Sequence, residues 1–283
     1  MTQRLWPVDR LMIIYLAAIS TLVALFARSI EHSGVILAAH ALGVILILAC
    51  RNVWFRHWYP LLYVALCYRE MSIIIASVWT TNADRTLAAW DHAIWRTHPT
   101  VWLERIQSPL LTELLQLAYS LFVPAVLLVA VIFWRQNRLA EFRSYAFLLT
   151  LGFLSSYIGY LLVPARGPRF FLADVQTEPL RGLWLYPRVR AALDLLESAH
   201  YDCFPSGHVE MTVLAWWTSR RISAWLGRTY AVYTAILIFT TVYLRYHYSV
   251  DLMAGLAVAA IVLAAAPRLM KGLNGGQPPG NAG

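Results

Sequence analysis

Leu110–Trp134 reads LLTELLQLAYSLFVPAVLLVAVIFW, with Glu113 as its only charged residue. An apolar run of this length has no place in a soluble core, whereas a hydrocarbon layer about 30 Å thick needs roughly 20 residues of helix to cross it. Working outward, comparable runs predict eight spans, at 11–29, 34–50, 58–80, 110–134, 143–163, 207–226, 229–244 and 247–266. The whole chain of 283 residues is 59% hydrophobic and 13% charged, which fits this reading and excludes a soluble globular domain. Lipid offers no partner to an open sheet edge, so the expected fold class is all-α: a polytopic membrane helix bundle.

The first span follows Arg4 and Arg10, but no small-x-small cleavage pattern follows its apolar run, so it is expected to be an uncleaved anchor. With the N-terminus inside, the inner segments carry twelve basic residues against Asp9 and Glu141. The outer segments balance ten arginines against ten acids. Basic residues favour the cytoplasmic side, so the chain is expected in the cytoplasmic membrane with both termini in. The net charge of +8 is thereby explained by orientation and does not point to nucleic acid. Cys50, Cys67 and Cys203 fall at the inner edge, mid-membrane and outer surface, too far apart to pair, so three thiols are expected.

Between the third and fourth spans, Asp84 to Pro109 mixes tryptophans and aliphatics with charges at helical spacing, as an interfacial segment does. The loop from Pro164 to Pro205 is the longest in the chain, and a loop of that length is usually functional. Within it, Arg188 to His200 alternates charged and apolar residues at helical spacing. The stretch 271–283, rich in Gly, Pro and Asn, is expected to be a disordered tail.

Two motifs place an imidazole at the edge of an apolar run. In Cys203-Phe204-Pro205-Ser206-Gly207-His208, the proline ends an extended loop and Ser206-Gly207-His208 opens a helix whose first amides lack intrahelical partners, a ready anion site. In His247-Tyr248-Ser249-Val250-Asp251, the spacing of four puts carboxylate and ring on one helix face. One ring nitrogen can then be held while the other attacks or takes a proton. Upstream, Pro164-Ala165-Arg166-Gly167-Pro168-Arg169 offers two arginines braced by Gly and Pro, and guanidinium forks suit phosphoryl oxygens.

GPR, PSGH and HYxxD in this order resemble the type 2 phosphatidic acid phosphatase superfamily, and within it the branch of inositol phosphorylceramide and sphingomyelin synthases. The resemblance covers about residues 58–266. It implies a six-helix catalytic core over 58–270 with the two spans of 1–57 as an addition. It further implies that His247 attacks phosphorus to give a phosphohistidine, Asp251 orients its ring, and His208 protonates the leaving oxygen. Arg169, Ser206 and Gly207 match the phosphate cradle, with Arg166 and Arg245 as helpers, and no metal or other cofactor is implied. The substrate would be a lipid phosphate or phospholipid at the outer leaflet, and the acceptor either water or an alcohol. Two positions depart from the phosphatase pattern: Leu162 stands where its first motif has Lys, and Thr241 where its last motif has Arg.

Other readings compete. A non-catalytic lipid or anion transporter could keep the same arginine site, but it has no need of His208, His247 and Asp251 together. Zinc on those three would lack a third neutral ligand, and Ser206 lacks the elbow of a serine hydrolase. Arg69 and Glu70 fall mid-span, where each is expected to need a partner on another helix.

Overall fold

The computed structural model describes residues 5–196 and 201–273, and among them every regular element is helical. In chain order these are α1 (Pro7–Leu25), α2 (Ser33–Ala49), α3 (Val53–Val78), α4 (Asp84–Trp95) and α5 (Pro99–Trp102). A 3₁₀ turn (Leu103–Ile106) follows, then α6 (Pro109–Ser120), α7 (Phe122–Arg135), α8 (Leu139–Leu162), α9 (Pro168–Phe171), α10 (Tyr186–Leu196), α11 (Gly207–Ser219), α12 (Ala224–Tyr243) and α13 (Ser249–Leu273). Five stretches are long and apolar enough to cross a membrane: α1, α3, the α6–α7 unit, α8 and α13. This is a multi-pass membrane protein.

The run Leu110–Trp134 is interrupted near its middle. Pro124 has no amide to donate to the Ser120 carbonyl, and the helix breaks at Leu121 into α6 and α7. The expected span 207–226 is corrected. Its helix stops at Ser219, a turn follows, and the Ser223 hydroxyl accepts the Leu226 amide to start α12. The 13 residues of α11 reach only about 20 Å, too short to cross alone. Instead α11 is sheathed by α7, α8, α12 and α13, which explains how it can bury Glu210, Thr212, Thr218 and Ser219.

Two apolar cores meet on α8. Leu154, Tyr157 and Tyr160 pack with α1, α2 and α3, while Phe142, Tyr145 and Leu149 pack with α7, α11, α12 and α13. The N-terminal pair is pinned by polar groups as well. Buried Asp9 accepts from the Trp6 amide at 2.7 Å, from Arg56 at 3.2 Å and from the Tyr59 hydroxyl. Glu70 finds its interhelical partner in His40, at 2.8 Å from Nε2, and the other ring nitrogen of His40 meets the Ser20 hydroxyl at 2.8 Å.

The bundle has two chemically distinct ends. At one, Arg143 lies over Trp6 at 5.1 Å, Arg10 donates to the Leu273 carbonyl, and Val8 packs with Ala266 and Phe147. Both ends of the described chain are therefore on the same side. At the other end lie α4, the loop from Pro164 and both histidine motifs. α13 continues through Leu273, and residues 274–283 of the expected tail lie outside the described residues, as does His200.

Candidate active site

α11 begins where cis-Pro205 leaves off, and the Ser206 hydroxyl caps it by accepting the Val209 amide at 3.4 Å. The Ser206 amide is already donated to the Asp251 carbonyl at 3.0 Å, tying the start of α11 to α13. That close approach needs Gly255, where a Cβ would stand 2.6 Å from the Ser206 carbonyl oxygen. The Gly207 and His208 amides are left at the helix start, where no intrahelical acceptor can reach them.

His208 points toward His247, with 3.3 Å between His208 Nδ1 and His247 Nε2. The opposite nitrogen of His247 is committed: Nδ1 lies 2.8 Å from the Cys203 carbonyl oxygen and 3.4 Å from Asp251 Oδ2. Both partners accept, so Nδ1 carries the proton and Nε2 keeps its lone pair, directed at His208. The sequence pairing of His247 with Asp251 is present, but the shorter contact is to Cys203. Asp251 Oδ2 in turn accepts from the Cys203 thiol at 2.8 Å and from the Tyr248 amide at 2.8 Å, while its Oδ1 is buried without a partner. Burial and the neighbouring Asp251 push the Cys203 thiol well above its usual range, which keeps it a donor.

Aromatic rings wall the pair. The rings of Tyr119 and Phe122, which flank the α6–α7 break, lie 4.7 and 4.5 Å from that of His208. Tyr119 is stacked on Tyr246 at 4.2 Å. Three residues apart, Tyr119 and Phe122 share one helix face, which is the face that meets His208.

Of the motif arginines, Arg169 lies over the ring of Tyr246 at 5.7 Å. Arg169 donates to Asp194 at 2.8 Å and lies over Phe170 at 4.5 Å, and Arg166 is exposed over the same ring at 4.7 Å. Arg245 is buried in the left-handed region (φ 66°) and is bound to Glu104 at 2.9 Å, Gln176 at 3.3 Å and the Glu178 carbonyl. These contacts use both terminal nitrogens and tie Arg245 to the loop, while its Nε is buried without a hydrogen-bond partner.

The interfacial segment contributes two residues that sequence reasoning passed over. Asp84, fully buried at the start of α4, accepts the Arg166 amide at 2.9 Å, the Gly167 amide at 2.8 Å and the Tyr248 hydroxyl at 3.0 Å. It thus joins the arginine loop to the last histidine motif. Two turns further along the same face, Asp91 accepts the Ser249 amide at 2.9 Å, the Val250 amide at 3.0 Å and the Ser249 hydroxyl at 2.7 Å, capping α13. Their signal was a seven-residue spacing of two carboxylates beside Leu87 and Ala88, which are buried with them.

Cys203 Sγ, His247 Nδ1 and an Asp251 oxygen all lie within 4.8 Å of one another, a set that could hold a cation. A cation there would have to displace both the thiol proton and the Nδ1 proton, each of which already has an acceptor.

The described residues form an all-helical membrane bundle that joins two histidines, a carboxylate and an arginine loop at one end. The family model of the PAP2 superfamily matches residues 85–265, and the chain belongs to that superfamily. It is also similar to a PA-phosphatase related-family protein of Dictyostelium discoideum, 29% identical over 106 residues, which cover 36% of this chain. The match takes in 19% of that relative's length. No solved structure matches.

Proposed function

We propose that the chain is a lipid phosphatase or phosphotransferase that works through a phosphohistidine on His247. The observation that carries this is the tautomer set at His247: Nδ1–H is held by Cys203 and Asp251, so the Nε2 lone pair faces His208. In the first step Nε2 bonds to phosphorus as the bond from phosphorus to the leaving oxygen breaks, and His208 gives that oxygen a proton. In the second, water or an alcohol loses its proton to His208 and attacks, and the P–N bond breaks. Arg166, Arg169 and the Gly207 and His208 amides spread over the equatorial oxygens, a stabilisation that calls for no metal, while Ser206 serves through its hydroxyl as the cap of α11.

The two rings now touch at 3.3 Å, whereas a phosphoryl group and its leaving oxygen between them need roughly 5 to 6 Å. Binding therefore moves His208 along the aromatic wall of Tyr119 and Phe122. The departures at Leu162 and Thr241 support the synthase-like branch, and both water and an alcohol fit as acceptor. The basic residues at the opposite end support an outward-facing site acting on outer-leaflet lipid.

The test is incubation of the purified protein with a panel of lipid phosphates and phospholipids, with and without alcohol acceptors, with products read by mass spectrometry. Turnover is expected in excess chelator, with an acid-labile phosphoenzyme that His247→Ala abolishes. No product from any substrate, or a phosphoenzyme that persists in His247→Ala, would refute the reading.

A further inference from the structure

The arginine cluster contains one residue outside every motif. Arg190, on α10, lies 4.7 Å over the ring of Tyr246, the residue before His247, and Tyr246 is stacked on Tyr119, which touches His208. Its Nε is 3.4 Å from Asp194 Oδ1, the same oxygen that accepts from Arg169 at 2.8 Å. One carboxylate oxygen therefore bridges two guanidinium groups. Arg190 Nη1 is buried with no hydrogen-bond partner, and the whole side chain is only 17% exposed. A buried donor left unmet is unfavourable, and two guanidiniums sharing a single exposed carboxylate leave positive charge unbalanced. An anion with three oxygens would answer both conditions: it can accept from Arg169 and Arg190 at once and still reach the unmet Nη1.

We infer that Arg190 is a further phosphate ligand of this site, delivered by α10, and that Asp194 holds the place of the substrate's phosphoryl oxygens until substrate displaces it. The inference rests on the phosphoryl chemistry proposed above. It makes α10 part of substrate recognition, and it makes the Arg169–Asp194 bridge a contact that is exchanged during binding.

The test uses the full chain in detergent with Arg190→Ala, Arg190→Lys and Asp194→Asn. Equilibrium dialysis with radiolabelled inorganic phosphate reads anion binding without turnover, and KM and kcat for dioleoyl phosphatidic acid read the lipid substrate. Arg190→Ala is expected to weaken phosphate binding about tenfold or more, with KM raised in parallel. Arg190→Lys should recover part of that loss, and Asp194→Asn should bind phosphate more tightly than the unchanged chain because the internal competitor is gone. Should Arg190→Ala fail to fold, Asp194→Asn decides. Phosphate binding unaffected by Arg190→Ala, or weakened by Asp194→Asn, overturns the inference while leaving the phosphoryl reading intact. An unchanged chain that neither binds phosphate nor turns over the lipid removes both.

Discussion

Asp84→Ala should loosen the active site from a position outside every catalytic motif. The carboxylate is fully buried and accepts three hydrogen bonds, from the Arg166 and Gly167 amides and the Tyr248 hydroxyl, at 2.8 to 3.0 Å. Each donor left unmet costs about 1–3 kcal/mol, so alanine, which strands three, should destabilise by about 3–9 kcal/mol if the cavity does not fill with water. That is a large share of the roughly 5–15 kcal/mol typical of a domain. Asp84→Asn separates the contributions. With its oxygen kept toward Gly167 and Tyr248, only the Arg166 amide faces an NH₂ group, and the loss should be about 1–3 kcal/mol. Thermal unfolding in detergent followed by circular dichroism should rank the unchanged chain above Asn and Asn above Ala. Turnover should fall in the same order, because the loop carrying Arg169 is released from the loop carrying His247. Equal melting temperatures and equal activity in all three would show that this clamp is not formed.

Gly167→Ala should lower activity with little loss of helicity: φ is +94°, and a Cβ would lie 2.8 Å from the Tyr246 carbonyl oxygen, so the loop must shift at a cost of about 1–3 kcal/mol. Unchanged kcat/KM would contradict it. Burial raises the Cys203 pKa, so its thiolate appears only at higher pH, and maleimide labelling should be slow near neutrality and speed up in alkaline buffer. Rapid labelling at pH 7 in the folded chain would show an accessible thiolate instead. Cysteines introduced at 138 and 180 in a thiol-free background should label from opposite membrane faces, 180 from outside; external labelling of both would sink the orientation.

The residues of this chain determined a good deal by themselves. Long apolar runs such as Leu110–Trp134 specify membrane helices because lipid leaves no alternative way to satisfy the backbone. The ordered motifs around Arg169, His208 and His247 mark the candidate site, and the fold brings the two histidines within 3.3 Å of each other. Local signals also predicted helix near α10 and a partner for Glu70. What sequence could not decide was which distant groups close the hydrogen-bond network. Cys203 looked like a surface thiol, yet its carbonyl holds His247 and its thiol holds Asp251. Arg245 gave no local sign of its ion pair with Glu104, 141 residues away. Asp84 and Asp91 looked like charges on an interfacial helix, yet they organise two motif loops more than 80 and 150 residues downstream. Pairings of this kind depend on how helices pack, and a carboxylate shows the same local pattern whether it faces water or a buried amide. The length of α11 was likewise settled by packing: sheathed by four neighbours, it can end at Ser219 without exposing its polar face to lipid.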